Sequence, residues 1–226
     1  MSVAKSIRQV STRGSGAPNR LADNRKQIVI LGAGYAGLRT ALRLGRMLKK
    51  NVNWRILLVD RYDFHQLKTE LHEVAAGRVR EEAVSTPIVT FIRGRNIDFL
   101  NAEATDIDFV QQFVTTSKGK VKYDKLVIAL GSETEFFGIP GMGAQAFTLT
   151  SVEDARRIKN HIREMFVKAK NENDDAKRQA LLTFVIGGGG FTGVELATEL
   201  VGYISKLCRR FEIAKEKAQV IVIEAE

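Results

Sequence analysis

The sequence predicts an α/β fold in which one strand–turn–helix design occurs twice. The first copy is KQIVILGAGYAGLRTALRL from Lys26, and the second is LTFVIGGGGFTGVELATEL from Leu182. In each, a short apolar run precedes glycines, and apolar residues then recur at helical spacing. An apolar segment that reaches an acid follows each copy, WRILLVD ending at Asp60 and QVIVIE ending at Glu224. Strands that alternate with helices in this way predict parallel sheets.

The chain between the two copies predicts further strands, a linker and a helix. Three segments have strand composition, and SKGK between the second and third predicts a hairpin turn in an antiparallel meander: NIDFLNAEATDIDF, QQFVTT and KVKYDKLVIAL. FFGIPGMG, residues 136–143, is rich in glycine and predicts a linker between two domains. The segment from Ser151 predicts a helix with an apolar stripe of Ile158, Ile162, Met165 and Phe166, followed by a polar loop at NENDDAKRQ.

Charge is unevenly distributed along the chain. Its 226 residues include 35 Lys and Arg against 26 Asp and Glu, a net charge of +9. More than half of this excess lies in residues 1–27, so we predict a flexible basic tail over residues 1–25 and no nucleic-acid partner. The tail's composition also suits an organellar transit peptide. The helix predicted from Ser151 carries basic residues on the face opposite its apolar stripe. We favour the interpretation that its apolar face covers a sheet, and binding to a membrane surface is the alternative.

Other bulk features agree with a protein of the cytoplasm. The sequence contains no run of about 18 apolar residues, the length that a membrane span requires. The single cysteine, Cys208, has no partner for a disulfide within the chain, and its helical setting predicts a packed thiol. A single cysteine also argues against chemistry that needs a redox pair of cysteines within the chain.

The glycines of the first copy have the spacing of a dinucleotide-binding turn. Gly32 permits a tight turn, Gly34 lets the backbone approach a pyrophosphate, and Gly37 lets the helix pack close to the strand. The pyrophosphate would lie at the helix N-terminus, where the dipole favours negative charge. Asp60 is placed to accept hydrogen bonds from ribose hydroxyls.

The second copy repeats this pattern. Gly188, Gly190 and Gly193 have the same spacing, and Glu224 takes the ribose position of Asp60. An acid there favours NADH over NADPH, because a 2′-phosphate would meet a like charge. Two units predict a flavoprotein with FAD in a domain of residues 26–141 and NADH in an incomplete domain of residues 142–226, both Rossmann-like, as in FAD/NAD(P)-linked reductases. We expect no metal.

Beyond the glycines, several segments resemble one family. YDFHQLKTELHEVAAG, YDKLVIALGSETEFFGIPG and GGGGFTGVELATEL are similar to the flavin loop, return strand and NADH turn of the single-subunit type II NADH dehydrogenases, with bacterial members most alike. The resemblance covers about residues 26–226. It implies FAD pyrophosphate contacts from the backbone of Tyr35 and Ala36, and an isoalloxazine contact from the segment Thr69, Glu70 and Leu71. Gly131 keeps a backbone role, although Leu130 replaces the threonine of the wider superfamily.

Glu195 is the predicted catalytic residue. The matching glutamate of the family lies near the nicotinamide and flavin, and the resemblance implies quinone-side chemistry or proton handling for Glu195. Thr192 and Glu195 also have the spacing of a capping box, so a role in closing the helix start is an equal alternative. His65 and His72 flank the flavin loop, where structural hydrogen bonding is as good an interpretation as chemistry.

The resemblance implies an enzyme that passes hydride from NADH to FAD and electrons to a membrane quinone. It further implies attachment to the inner face of the cell membrane through a C-terminal segment beyond these 226 residues, and a homodimer. We expect the 226 residues alone to be inactive. Two alternatives remain open: a flavoprotein like the ferredoxin or rubredoxin reductases, and a non-catalytic nucleotide-binding fragment.

Overall fold

The computed structural model describes residues 25–224, which form eleven strands and seven α-helices. The strands are β1 Lys26–Leu31, β2 Trp54–Asp60, β3 Phe64–Gln66, β4 Ser85–Pro87, β5 Ile97–Asn101, β6 Ala104–Asp108, β7 Phe113–Thr116, β8 Gly119–Lys122, β9 Lys125–Ile128, β10 Thr183–Gly187 and β11 Gln219–Ile223. The helices are α1 Tyr35–Met47, α2 Leu71–Ala75, α3 Ile88–Ile92, α4 Met142–Gln145, α5 Val152–Lys170, α6 Asp175–Leu181 and α7 Phe191–Phe211. The predicted tail, residues 1–25, lies outside this range except for Arg25.

The first unit is built on a four-stranded sheet in the order β5-β2-β1-β9, and every neighbouring pair is parallel. β1 is central, and Val29, Ile30 and Leu31 are fully buried because side chains pack on both faces of the sheet. α1 covers one face through residues at helical spacing, among them Leu38 and Ala41. The predicted parallel α/β fold is confirmed here.

The predicted meander is only partly correct. β6, β7 and β8 form an antiparallel three-stranded sheet, with a turn at residues 117–118, the first half of the predicted SKGK turn. The two longest predicted strands, however, are each broken in two. NIDFLNAEATDIDF gives β5 and β6, and KVKYDKLVIAL gives β8 and β9, so β5 and β9 leave the meander for the parallel sheet. The second break follows Tyr123, which is buried between the sheets.

The second unit has two parallel strands, β10 and β11, among the described residues. α5 is capped by Ser151, whose hydroxyl accepts the Asp154 N–H at 3.1 Å. Of its predicted stripe, Ile158, Ile162 and Phe166 are buried, so the helix does cover apolar surface. Met165 is half-buried.

The predicted polar loop at NENDDAKRQ is wrong, because this segment contains most of α6. The Asp174 carboxylate caps the helix by accepting N–H bonds from Ala176 and Lys177. Asp174, directly before DAKRQAL, is a helix-start signal that the polar composition obscured.

Packing between the units is continuous through α2. Leu71, Val74 and Ala75 of this short helix belong to the same buried cluster as the apolar faces of α5 and α7. The core beneath the second pair of strands therefore includes residues from the predicted flavin loop. No helix within residues 25–224 combines the length and apolarity needed to cross a membrane.

Candidate functional site

The first glycine turn joins β1 to α1 at the carboxyl edge of the parallel sheet. Gly32 has φ +94°, and a Cβ there would overlap the carbonyl oxygen of Ala129, which follows β9. A Cβ at Gly37 would overlap the carbonyl oxygen of Gly32. A Cβ at Gly34 would meet no described atom within 4 Å. Two of the glycines are thus required by the fold, and the third leaves open space beside the helix start.

The acid at the end of β2 holds this turn in place. One oxygen of Asp60 accepts the N–H of Ala33 at 2.6 Å, and the other accepts the N–H of Tyr62 at 2.8 Å. Each carboxylate oxygen offers two lone pairs, so both retain capacity for a ligand hydroxyl. The predicted ribose contact of Asp60 stays a prediction, and a structural role is added to it.

His65 is a structural histidine, one of the two interpretations that the sequence left open. It is 6% exposed, and its Nδ1 lies 2.8 Å from the carbonyl oxygen of Ala33. Its ring stands edge-on to Tyr35, with 5.2 Å between centroids. Strand β3, through His65, therefore helps to hold the glycine turn in position.

Side chains from three segments meet at the rim of the turn. The Tyr35 hydroxyl lies 3.2 Å from Oγ1 of Thr69, which in turn lies 3.4 Å from Oε1 of Glu70. Gly131 has φ +84°, and a Cβ there would lie 4.0 Å from Nζ of Lys68. The structure thus brings together four predicted contact residues from distant parts of the chain. Lys68 is an addition that the sequence did not suggest, because a lysine beside a loop has no distinctive pattern.

The second glycine turn, between β10 and α7, has the same geometry. Gly188 has φ +104°, and a Cβ at Gly193 would overlap the carbonyl oxygen of Gly188. A Cβ at Gly190 would meet no described atom within 4 Å. Glu224 Oε2 accepts the N–H of Gly189, as Asp60 does with Ala33. The glycines and the acid thus take corresponding positions in the two units, and the predicted ribose contact of Glu224 stays a prediction.

Both turns are suited to an anionic ligand. α1 starts after Gly34 and α7 after Gly190; neither helix has a side-chain cap, and neither has an acid in its first turn. No carboxylate of the helix itself therefore competes for its first N–H groups, and the nearby acids Asp60 and Glu224 bond N–H groups that precede each helix. Together with the helix dipole, the first N–H groups of the helix favour a phosphate at this position.

Glu195 does not belong to a capping box. Helix α7 begins at Phe191, so Thr192 lies inside the first turn and Gly190 takes the cap position. That interpretation of the Thr192–Glu195 spacing is wrong, because the glycine turn itself sets the helix start. Oε2 of Glu195 instead lies 3.7 Å from Nδ1 of His72 on α2, with the glutamate half-exposed and the histidine largely buried.

A second charged contact lies one turn further along α7. Glu199 pairs with Arg78, which follows α2 and also lies 3.3 Å from Glu73. Bonding to Glu199, and then the charges of Glu199 and Glu73, raise the pKa of Arg78. Glu73, Glu199 and His72 have ligand atoms within 4.8 Å of one another, but the Arg78 guanidinium supplies the cation for both carboxylates. The sequence missed Arg78, since its partners are distant along the chain.

Comparison with known proteins establishes the family. The model of the pyridine nucleotide-disulphide oxidoreductases matches residues 26–226. The chain belongs to this family. It is similar to curated proteins, among them a type II NADH:quinone oxidoreductase from Staphylococcus haemolyticus, 39% identical over 207 residues. That alignment covers 91% of this chain and 50% of the relative, so the chain spans about half the length of the curated relatives it matches.

Solved structures agree on the fold. NDH2 from Plasmodium falciparum in complex with NADH matches with a TM-score of 0.80 and 22% identity, over 88% of this chain and 42% of that one. The NADH:rubredoxin oxidoreductase of Clostridium acetobutylicum matches with a TM-score of 0.60 and 22% identity, over 89% and 58%. The resemblance to the type II enzymes is confirmed by the curated relatives, and the rubredoxin oxidoreductase matches the fold with the lower TM-score.

Cys208 is a packed thiol, as the sequence predicted. It is 3% exposed, and burial raises the pKa of its thiol. A neutral, packed thiol is a poor nucleophile. Together with the lack of a second cysteine in these 226 residues, this argues against disulfide chemistry within the chain despite the family's name.

Proposed function

We propose that this chain is the nucleotide-binding half of an FAD-dependent NADH:quinone oxidoreductase, with FAD in the first turn and NADH in the second. The observation that carries the proposal is the repetition of one phosphate-receptive turn. Each copy has an uncapped helix N-terminus, open space at the middle glycine and an acid bonded to the turn. A simple dehydrogenase needs one such turn, whereas transfer from NADH to a flavin needs two.

The residues of the first turn fit FAD. The backbone of Gly34, Tyr35 and Ala36 forms the start of α1 and would hold the pyrophosphate, with Asp60 at the adenosine ribose. Thr69, Glu70 and Gly131 lie on the rim where the longer flavin end would extend. When bound, the flavin would accept hydride from NADH and pass electrons to a quinone.

The residues of the second turn fit NADH. Gly188, Gly190 and Gly193 would bind the nicotinamide cofactor's pyrophosphate, and Glu224 its adenosine ribose. Glu224 carries a negative charge at the position where NADPH has its 2′-phosphate, so it favours NADH. Domains of residues 26–141 and 142–226 follow from this assignment.

We propose that Glu195 handles protons on the quinone side of the reaction. Its half-exposed carboxylate, on α7, lies 3.7 Å from Nδ1 of His72 in the predicted flavin loop. That position allows proton exchange with solvent while the histidine orients the carboxylate. Activity of the complete enzyme, attachment to the inner face of the cell membrane through a C-terminal segment, and a homodimer are parts of the proposal that rest on the resemblance alone.

A paired substitution tests the assignment of the two turns. Gly34→Val should abolish retention of FAD and leave binding of NADH, because the new side chain fills the space beside α1. Gly190→Val should do the reverse. Bound flavin is measured by absorbance after gel filtration, and NADH binding by calorimetry.

The outcomes separate assignment from folding. Both valines enter open space, so circular dichroism should match the unsubstituted chain for each variant. Loss of both nucleotides from a single variant would mean that the turns do not act separately. Undiminished flavin in Gly34→Val would refute FAD binding at the first turn. We expect the 226 residues alone to show no turnover of NADH with a soluble quinone, because only two strands of the second sheet are present among the described residues.

A further inference from the structure

The side chain of Lys68 reaches from the predicted flavin loop to the end of β9. Lys68 begins the short 3₁₀ helix Lys68–Glu70, which follows β3. Its Nζ would lie 4.0 Å from a Cβ at Gly131, just after β9, although the two residues are distant along the chain. The side chain is exposed, and within residues 25–224 it forms neither a salt bridge nor a hydrogen bond. The ammonium is therefore available to a ligand of the turn.

The backbone that Lys68 approaches forms the wall of the first glycine turn. A Cβ at Gly32 would overlap the carbonyl oxygen of Ala129. Gly131 is only two residues further along the chain, so the Lys68 ammonium lies at the outer end of this wall. At the start of α1, a Cβ at Gly34 would meet no described atom within 4 Å. The ammonium therefore lies beside a turn whose helix start is open to a ligand.

A second contact holds the same segment beside the start of α1. The hydroxyl of Tyr35, the first residue of α1, lies 3.2 Å from Oγ1 of Thr69, the residue after Lys68. The acid of this segment, Glu70, is directed to Thr69, whose hydroxyl donates to its Oε1 at 3.4 Å. The contact with α1 and the approach to the end of β9 thus place Lys68 between these two elements, at the rim of the turn.

The strand order indicates which part of a dinucleotide Lys68 would face. In the order β5-β2-β1-β9, strands β2 and β9 lie on opposite sides of β1. Asp60 ends β2, where we propose that the adenosine ribose binds, whereas the Lys68 ammonium lies at the end of β9. A diphosphate at the start of α1 would lie between them. Lys68 is therefore on the side of the diphosphate that bears the ribityl chain and the flavin.

We propose that Lys68 clamps the diphosphate of FAD from the flavin side and thereby keeps the cofactor resident at the first turn. The inference rests on the proposed assignment of FAD to this turn. The start of α1 supplies N–H donors and a helix dipole, but residues 35–38 include no lysine or arginine. The Lys68 ammonium would add a full positive charge and charge-assisted hydrogen bonds to a phosphate. Such a contact mainly slows dissociation of the ligand.

Three single substitutions in the full 226-residue chain test the clamp. Lys68→Gln removes the charge, and Lys68→Arg keeps it. Lys118→Gln is the matched control, because Lys118 is also exposed and lies in the turn between β7 and β8, in a different sheet. The dissociation constant and dissociation rate of FAD are measured by the change in flavin fluorescence on binding. The midpoint potential of the bound FAD is measured by equilibration with reference dyes.

Lys68→Gln should weaken FAD binding roughly ten- to thirtyfold, mostly through faster dissociation, because it removes a hydrogen bond from a charged donor. Lys68→Arg should stay within about threefold of the unsubstituted chain, and Lys118→Gln within about twofold. The midpoint potential should be the same in all of them, because the phosphates keep their charge when the flavin is reduced. Unchanged FAD affinity in Lys68→Gln would overturn the clamp, and so would an equal loss in Lys118→Gln. A midpoint potential that falls in Lys68→Gln without a loss of affinity would place the ammonium against the flavin ring, which overturns the clamp as well.

Gly34→Val distinguishes failure of the clamp from failure of the proposed function. If the unsubstituted chain binds FAD, Gly34→Val does not, and Lys68→Gln binds it as tightly as the unsubstituted chain, only the role of Lys68 is wrong. If the unsubstituted chain retains no FAD, or if Gly34→Val binds it fully, the assignment of FAD to the first turn is wrong and the clamp is overturned with it. Lys68 is exposed, so folding, checked by circular dichroism, should be unchanged in its variants.

Discussion

The two glycine turns differ less in their own atoms than in what surrounds them. Both have a first glycine at positive φ, an overlap that forbids a Cβ at the third glycine, and open space at the middle one. Around the first turn, however, β9 runs beside β1 and places the carbonyl of Ala129 against Gly32. A Cβ at Gly188 would meet no described atom within 4 Å.

This difference separates what local sequence determines from what the rest of the fold supplies. The helix start and the close contact between the third and first glycines depend on neighbouring residues alone. The wall that encloses a ligand comes from strands far along the chain. The first unit has that wall from β9, whereas the two strands described in the second unit leave the equivalent place open.

Asp60 and Glu224 differ in length, and the residue that each carboxylate bonds differs in size in the opposite sense. In the first turn Ala33 pairs with the short side chain of Asp60, and in the second Gly189 pairs with the longer Glu224. A Cβ at Gly189 would lie 3.1 Å from Oε2 of Glu224. The additional methylene of glutamate is accommodated because position 189 has no side chain. This explains a glycine that lies outside the three-glycine pattern.

The largest effect on stability is expected when one methyl group is added at the first glycine of each turn. Gly32→Ala should lower the free energy of unfolding by about 3 kcal/mol or more, because the methyl overlaps a backbone carbonyl at a positive φ. Gly188→Ala meets only the backbone penalty and should cost about 1 to 2 kcal/mol. Urea unfolding followed by circular dichroism measures both. Equal losses would show that β9 does not restrict the first turn.

An intermediate effect is expected at the second acid. Glu224→Arg should shift the ratio of NADPH to NADH binding by about tenfold toward NADPH, because repulsion of the 2′-phosphate becomes attraction. Glu224→Gln, which keeps the size and removes the charge, should give a smaller shift in the same direction. Calorimetric titration with each nucleotide measures the ratio. If neither variant changes it, Glu224 serves the turn through Gly189 and does not contact the ribose.

The smallest effect concerns α5, which has the side-chain cap that the two turn helices lack. Burial pushes the pKa of Asp154 up, but hydrogen bonds from Thr150 and Ser151 outweigh it, and the pKa is lowered overall. A lowered carboxyl pKa stabilises the fold above the unfolded-state value, and that stability is lost as pH falls through the folded value. Thr150→Val removes the hydroxyl bond of 2.8 Å and should cost about 0.5 to 1 kcal/mol at neutral pH.

Acid should erase that difference. The unfolding free energies of Thr150→Val and the unsubstituted chain should converge in acid, once Asp154 is protonated in both. Thr198→Val on α7 is the control, because its hydroxyl bonds a carbonyl and no carboxylate. A difference for Thr150→Val that stays constant with pH would mean that the hydroxyl acts through packing alone.

The sequence predicted the turns well because each depends on a few neighbouring residues. Gly32, Gly34 and Gly37 lie as expected, and so do their counterparts around Gly190. The sequence predicted less of the structure where the arrangement depends on pairing between distant segments. β8 and β9 have similar composition and are separated only by a short break at Tyr123. β9 nevertheless belongs to a different sheet, and this follows only from its pairing with β1. The same limit hid the contacts of Arg78 and His72 with α7, since their partners are more than 100 residues away.

The position of α2 also bears on how the molecule is assembled. Leu71, Val74 and Ala75 leave the ribosome long before α5 and α7, yet they are buried against both helices. The first sheet can form early in synthesis, but the packing of α2 against α5 and α7 is complete only when the chain has been made to about residue 211. Until then these three apolar side chains lack most of the contacts that bury them in the folded chain. After folding, a protease that cuts the linker at residues 136–141 should leave two pieces that stay associated under native conditions.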